Sequence, residues 1–436
     1  MSKKLKLNFW QIWNMNVGFF GIQYSFGLQQ SAVNPIYDLL GASPDAIPML
    51  NLAGPITGLL VQPLIGAMSD NTWSPRWGRR KPYFFVGALL CSIALLLFPF
   101  SSSLWMAAGL LWILDAGNNT AMEPYRAFVA DKLDAEQQPT GFLMQSFFTG
   151  FGQTLANLSL FIFPLLFIGK TGSLPTWIYA SFFLGAICSI GSIWWSMKTT
   201  PEIPPTAEEL LHMKSKKGGV LEPLIEIFAA IGEMPKVMWQ LALVYMFQWY
   251  ALFCYWQNSS KSIALSVWNV TPDSNAKVYE EAVSWTGLVN GWYNIVTFLV
   301  AFLLVGYAKK YGPKTVHAIC LLLAAIGFLV FPHIENKHLL FFAITGFGIG
   351  WASMMGIPYL MVVADIPKER YGVYMGIINM MIVIPMIIQN LTFGYIMKHF
   401  LNNDARLAVS FAGVLLLISA VCTLFIKTKK IIATEI

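Results

Sequence analysis

One stretch of this 436-residue chain sets five polar side chains in apolar surroundings: Asp115, Asn118, Asn119, Glu123 and Arg126. Ionisable groups in such a run are costly and point to function. On a helix Asp115 and Asn119 share a face, and Asn119, Glu123 and Arg126 follow at about one turn each. Asp115 and Arg126 stand roughly 16 Å apart along an ideal helix, too far to pair directly. They can bracket a polar cavity, one titrating and the other holding a substrate, and Pro124 between them can bend the helix. Asp115 is the better proton carrier, because burial favours the neutral form of a carboxylic acid. Arg126 stays charged and offers five donors, suited to sugar hydroxyls or to a carboxylate. Glu123 is close enough to partner Arg126 and is the second candidate for proton coupling. The plainer account of these charges is a structural network between helices.

Amides at helical spacing extend the set. Asn16, Gln23, Gln30 and Asn34 recur in steps of seven and four, which keeps them on one side of the first span. Gln153 and Asn157 form a similar pair in the fifth span, and Asn290 and Asn294 in the eighth. Amides both donate and accept, which suits a polyol, and Trp256 beside Gln257 offers an aromatic face for a sugar ring. Helix–helix hydrogen bonding and packing explain these residues equally well. Asp70, Arg79, Arg80, Asp131, Asp365 and Arg370 lie near helix ends. Salt bridges among them are expected to latch one state of a moving protein.

The elements that position these residues are spans of a membrane protein. The chain is 56% hydrophobic and 11% charged, with mean hydropathy +0.59, whereas soluble domains carry about 25% charged residues. Weakly charged apolar runs cover 9–32, 48–68, 83–100, 103–128, 140–168, 176–197, 236–258, 283–308, 313–332, 339–364, 371–397 and 407–426. The reading is an all-α protein of twelve transmembrane helices in two pseudo-symmetric halves, 1–197 and 236–436. A linker at 198–235 joins them, with an interfacial helix near 220–232. The polar segment 258–283 is expected as the largest external loop. The first run is too long for a cleavable signal peptide and is expected to remain as a helix.

The halves repeat one another. Pro124-Tyr125-Arg126-Ala127-Phe128-Val129-Ala130-Asp131 reads against Pro358-Tyr359-Leu360-Met361-Val362-Val363-Ala364-Asp365, and only the first copy has Arg at its third place. Gly66 to Asp70, then Gly78-Arg79-Arg80-Lys81, reads against Gly306 to Lys310, then Gly312-Pro313-Lys314. Related halves suit a secondary transporter that rocks one half against the other. Of the 28 Lys and Arg, 21 fall on the side of the N-terminus and 6 on the other, Arg126 being the remaining one. That bias places both termini in the cytoplasm of a multi-pass plasma-membrane protein. It also accounts for the net charge of +6 without a nucleic-acid partner.

No catalytic constellation stands out. The five cysteines fall in separate spans with no metal-ligand spacing. The five histidines lie near helix ends or loops, and no Gly-rich phosphate loop or Walker lysine is present. An enzyme, a metal site and a cofactor are not expected, and neither is an obligatory protein partner. The expected partners are a small sugar, a proton and the lipid bilayer, with an ion gradient rather than ATP as the source of energy.

Several motifs are specific enough to carry a resemblance. These are Gly21-Ile22-Gln23, Gly27-Leu28-Gln29, and Gly54-Pro55-Ile56-Thr57-Gly58 through Gln62-Pro63 and Gly66. Ser69-Asp70 with Gly78-Arg79-Arg80-Lys81-Pro82 adds a basic loop. Leu114-Asp115, Asn118-Asn119, Pro124, Arg126-Ala127 and Ala130-Asp131 add a signature in the fourth span. Through them the whole chain resembles the major facilitator superfamily, and more closely the glycoside–pentoside–hexuronide:cation symporters of the sucrose/proton group and its bacterial relatives. Lys81 stands where Arg is more usual, and Glu123 replaces a small residue. The resemblance implies import of a glucoside, a disaccharide such as sucrose or maltose, with Asp115 as the protonated acid and Arg126 as the substrate-binding cation. Sodium-using members place acids in the second span; 48–68 contains none, so the resemblance implies protons. The compact chain looks bacterial, which implies the inner membrane. The rival readings are an exporter or carrier of other organic solutes on the same fold, and a membrane sugar sensor that transports nothing.

Overall fold

The computed structural model describes residues 6–70, 72–133, 137–172, 174–207, 210–211, 225, 229, 231–362 and 371–427. Asp365, Arg370 and most of the expected interfacial helix near 220–232 lie outside these residues. Within them are twelve long helices. They are α1 (Phe9–Leu39), α2 (Ala53–Asp70), α3 (Lys81–Leu97), α4 (Leu104–Lys132), α5 (Gln138–Leu166) and α6 (Thr176–Thr199), then α7 (Lys236–Ile263), α8 (Ala276–Tyr311), α9 (Pro313–Val330), α10 (Leu340–Val362), α11 (Tyr371–His399) and α12 (Ala405–Leu424). A single short turn, Ile47–Leu50, precedes α2.

The helices group into two units. One comprises Met1–Leu40 with Ala53–Ile225, the other Gly41–Leu52 with Glu226–Ile436. The packing in the first unit recurs in the second. In the first, α1 lies against α5 and α6, α4 against α2 and α3, and α3 against α6. In the second, α7 lies against α11 and α12, α10 against α8 and α9, and α9 against α12. The sequence repeat is therefore also a repeat of packing, and the fold is twelve transmembrane helices in two pseudo-symmetric six-helix halves.

Small residues set the closest approaches. At the α3–α4 crossing a Cβ on Gly87 would stand 2.6 Å from the Gly117 carbonyl oxygen, and one on Gly117 would stand 2.9 Å from the Gly87 carbonyl oxygen. Only two hydrogens at each position permit backbone contact at this depth. On the outer face of α3, Val86, Leu89, Ile93, Leu96 and Leu97 are exposed at helical spacing, as lipid-facing positions should be.

Among the described residues nine helical segments have the length and apolarity of a membrane span. Helices α1 and α4, of 31 and 29 residues, fall short of it. Their polar groups lower the hydropathy, and their length keeps them spanning.

The segment 258–283 differs from the expected loop. Helix α7 continues to Ile263, a π-helical turn occupies Ala264–Trp268, and Asn269 closes it at φ 53°. Helix α8 begins at Ala276 beneath the side-chain cap of Asn275. The polarity of Asn258, Ser259, Ser260 and Ser262 suggested exposure, but all four are buried. A helix satisfies their backbone internally, so polar side chains there do not require a loop.

Candidate functional site

Helices α1 and α4 meet through three polar contacts in antiparallel register. Near one end, the Tyr125 hydroxyl accepts from the Gly18 N–H at 3.1 Å and donates to the Met15 carbonyl. In the middle, Asn118 Nδ2 donates to Ser25 Oγ at 3.1 Å. At the other end, Gln29 Nε2 donates to Asp115 Oδ1 at 2.7 Å. Ser25 and Gln29 are four residues apart, Asp115 and Asn118 three, so each pair shares one helical face.

Asp115 is fully buried, at 1% exposure. Its second oxygen, Oδ2, meets no hydrogen-bond donor among the described residues, and neither does Oε1 of Gln29. Gly54, near the start of α2, leaves space beside the carboxyl: a Cβ there would stand 3.5 Å from both carboxyl oxygens. Asn119 ties α4 to α2. Its Nδ2 donates to Thr57 Oγ1 at 3.0 Å and to the Asp115 carbonyl at 2.9 Å, while its Oδ1 accepts from Gln62 Nε2 at 2.6 Å. The Asn118 side-chain Oδ1 accepts from the Cys91 thiol on α3 at 3.1 Å.

Arg126 occupies a different environment. Helix α4 runs on through Pro124, and Arg126 emerges with its side chain 47% exposed. Its ion pair with Glu123 is long, at 3.8 Å, and Glu123 is 39% exposed. The guanidinium expected to be buried is therefore accessible, loosely held, and free to use most of its donors elsewhere. The acid buried in the helix and the cation open to its surroundings are thus separated along one rod.

The amide stripe of α1 faces α5. Gln153 Nε2 donates to Gln23 Oε1 at 2.9 Å, and Ser31 Oγ donates to Asn157 Oδ1 at 2.6 Å. Asn157 Nδ2 folds back onto the Gln153 carbonyl at 2.8 Å. Asn16 is buried and donates to the Ile12 carbonyl at 2.8 Å, and Asn34 is buried further along. Gln30 is half-buried.

In the second unit, Tyr255 donates to Asn290 Oδ1 at 2.9 Å and Asn294 Nδ2 returns to the Asn290 carbonyl at 2.9 Å. Trp256 is buried edge-on to Trp351, with ring centroids 5.5 Å apart. Beside it lies a cluster that spacing did not single out. Gln257 Nε2 donates to Asn390 Oδ1 at 2.7 Å, and Gln389 Nε2 donates to Gln257 Oε1 at 2.9 Å. The available signal was Gln389-Asn390 standing together in an otherwise apolar run.

The charges between α2 and α3 form a compact network. Arg80 is buried; its Nε pairs with Asp131 Oδ2 at 2.9 Å, its Nη2 with Asp70 Oδ1 at 2.6 Å, and its Nη1 donates to Ser69 Oγ at 2.6 Å. Arg79 contributes a longer contact to Asp70, at 3.3 Å. Sequence reading missed the anion at the centre of the loop. The Glu202 carboxylate accepts from the backbone N–H of Arg79 at 2.8 Å, Arg80 at 3.0 Å and Lys81 at 2.9 Å. It thereby caps the first turn of α3 from beyond the end of α6. Gly78 turns the chain at φ +81°, and a Cβ there would stand 2.6 Å from Glu202 Oε1. Lys81 and Lys132 hold the same segment by donating to the Met197 and Pro201 carbonyls at 2.8 and 2.7 Å.

No group of three or more metal-ligating side chains occurs among the described residues. The buried amides bond to one another and to backbone carbonyls, and Asp115 keeps one carboxyl oxygen without a donor among the described residues.

Comparison with known proteins gives this arrangement a context. The chain matches the Major Facilitator Superfamily over residues 15–389, with a second match over 263–433. It is 23% identical over 441 residues to the sucrose transport protein SUT5 of Oryza sativa subsp. indica, covering 86% of this chain and 79% of that one. It is 25% identical over 418 residues to the sucrose transport protein SUC4 of Arabidopsis thaliana, covering 84% and 80%. Among solved structures it resembles the nucleoside transporter NupG, with TM-score 0.70 and 14% identity over 96% of this chain and 100% of that one. The xylose transporter XylE from E. coli, partially occluded and inward open, gives TM-score 0.65 and 14% identity over 97% and 99%. These two likenesses are likenesses of fold.

Proposed function

Because the chain belongs to the major facilitator superfamily, a family of multi-pass membrane transporters rather than enzymes, we propose that it imports a glucoside together with protons. The substrate class is a disaccharide such as sucrose or maltose, and the cycle is alternating access in a bacterial inner membrane with both termini in the cytoplasm. The names of its sucrose-transporting relatives support the sugar. The Lys and Arg bias supports the orientation.

The observation that carries the proposal is the contrast on α4, with Asp115 buried and without counter-charge among the described residues and Arg126 exposed beside Glu123 at 3.8 Å. A carboxylate in an apolar interior is unfavourable, whereas a carboxylic acid is tolerable. Protonation of Asp115 from outside permits the loaded carrier to reorient, and loss of the proton inside biases the return. Arg126 presents its planar fork of donors to the sugar hydroxyls. Gln23, Gln30, Gln153, Asn157 and Asn119 shape the first unit around the substrate, and Asn290, Asn294 and Trp256 do so in the second. The cluster of Asp70, Arg79, Arg80 and Asp131 acts as a latch that breaks during the cycle; Asp365 holds the position of Asp131 in the second copy of the repeat, and Arg370 joins it in the same role.

Proteoliposomes test the coupling. Asp115→Asn imitates the protonated acid, so it should still exchange labelled for unlabelled sugar yet fail to accumulate sugar when only a proton gradient is supplied. Accumulation by Asp115→Asn under that gradient would remove Asp115 as the coupling site and bring Glu123 forward.

A further inference from the structure

We infer that the proton is held not by Asp115 alone but by Asp115 and Gln29 together, as a carboxylic acid paired with a carboxamide. This rests on the reading of Asp115 as the coupling acid and adds a positioning residue to it.

Gln29 Nε2 donates to Asp115 Oδ1 at 2.7 Å. The remaining polar atoms of both groups, Gln29 Oε1 and Asp115 Oδ2, are buried and without a donor. With the carboxyl ionised both are acceptors, and two buried acceptors without hydrogens are costly. One proton satisfies both. It enters on Oδ2, which becomes an O–H donor to Oε1, while the Nε2–H bond to Oδ1 persists. An acid and a primary amide are complementary in this way, each with one donor and one acceptor facing the other. On release the proton leaves Oδ2 for water, Oε1 loses its donor, and the carboxylate keeps only the Nε2 bond. The ionised pair is thus undersatisfied and the protonated pair complete, which is the energetic difference a proton-driven carrier needs between its two forms.

Among the described residues nothing else facing Asp115 replaces that role. The titratable groups near it are the Tyr37 phenol on α1 and the Cys91 thiol on α3, and neither supplies a counter-charge. Helix α2 contributes Gly54 at the carboxyl, and its own acid, Asp70, lies at its opposite end. On α4 the next acid, Glu123, is two turns away, and on α1 the next is Asp38, nine residues beyond Gln29. Gln29 also explains why Asp115→Asn should imitate the protonated state: two facing primary amides form the same complementary pair.

Infrared difference spectra of the reconstituted full-length protein, taken between high and low pH, test the pair. A protonated-carboxyl C=O band that vanishes in Asp115→Asn identifies Asp115. In Gln29→Leu that band should move to higher frequency, because the C=O loses its donor and the O–H its acceptor. An Asp115 band that titrates but ignores Gln29→Leu overturns the pair while leaving the coupling reading intact. Absence of any band assignable to Asp115 sinks the coupling reading itself, and the pair with it. Gln29→Glu gives a second route if the Leu variant does not fold. Two facing carboxyls then retain one proton, and the pH midpoint of sugar uptake should rise by about one unit or more, tenfold in proton affinity. An unchanged midpoint in Gln29→Glu shows that the two side chains do not share the proton.

Discussion

Glu202 and Gly78 should be energetically inseparable, and the size of their coupling can be worked from the geometry. Truncating one side-chain cap at a helix N-terminus costs about 1 kcal/mol. Glu202 serves three N–H groups and sets a full negative charge against the start of α3, which adds about 0.3–1 kcal/mol. Part of this is returned by water, since the site is half-buried, so Glu202→Ala should cost about 2–3 kcal/mol. Gly78→Ala carries two penalties. The left-handed backbone costs about 1–2 kcal/mol, and the new Cβ, 2.6 Å from Oε1, expels the Glu202 carboxylate and forfeits the cap. The total is about 3–5 kcal/mol in the native background but only about 1–2 kcal/mol once Glu202 is already Ala. The assay is thermal unfolding of the four members of the cycle in one detergent at one scan rate. A unit of this size loses about 2–4 °C per kcal/mol, so Glu202→Ala should lower the transition by about 4–12 °C. Equal losses from Gly78→Ala in both backgrounds would refute the reasoning.

Three further outcomes are expected. Arg126→Lys should impair sugar binding and transport although the charge is kept, because the planar fork is lost; normal binding by a folded Lys variant would show that the fork is not used. Gly394→Ala on α11 should displace the segment 41–52, because a Cβ there would stand 2.3 Å from the Asp45 carbonyl oxygen, and faster proteolysis of that segment measures it. Asp404 caps α12; burial raises its pKa, but the hydrogen bonds and charge of Arg406 outweigh this and hold the carboxyl below its ordinary value. Its contribution is therefore present above the unfolded pKa and lost as pH falls through the lower folded one. The acid limb of a stability–pH profile should accordingly be shallower in Asp404→Ser, which keeps a cap that does not titrate.

The twelve helices were legible because each needs a long apolar run, and the repeat was legible because Pro, Tyr and Asp survive in both halves. Residue types also exposed Asp115 and Arg126, since charges stand out where few exist. What spacing missed depends on which neighbour a face meets. The stripe Asn16, Gln23, Gln30 and Asn34 pointed to one side of α1, whereas Gly18, Ser25 and Gln29 on another side grip α4. A glycine and a serine carry little signal, and Gln29 reads as the neighbour of Gln30. Glu202 resembled any linker carboxylate, because its partners are backbone groups more than 120 residues earlier. In the segment 258–283 polarity does not mark exposure, because Asn258, Ser259, Ser260 and Ser262 are buried within α7. Among the charges between α2 and α3, sequence supplied the members, but only packing distinguishes the buried Arg80 from the more exposed Arg79.

The polarity of α1 also bears on how the chain enters its membrane. When α1 leaves the ribosome, Ser25 and Gln29 have no counterparts, because Asn118 and Asp115 lie 93 and 86 residues downstream. At about 5–20 residues per second, translation leaves those side chains waiting roughly 4–20 s before α4 is made. A weakly apolar first segment cannot rest alone in hydrocarbon for that time without cost. Its partition must be retained beside the insertion machinery, or shared with nascent α2 and α3, until α4 arrives. Substitutions that weaken the α1–α4 register should therefore reduce the yield of inserted protein before any fault in the mature carrier is measured.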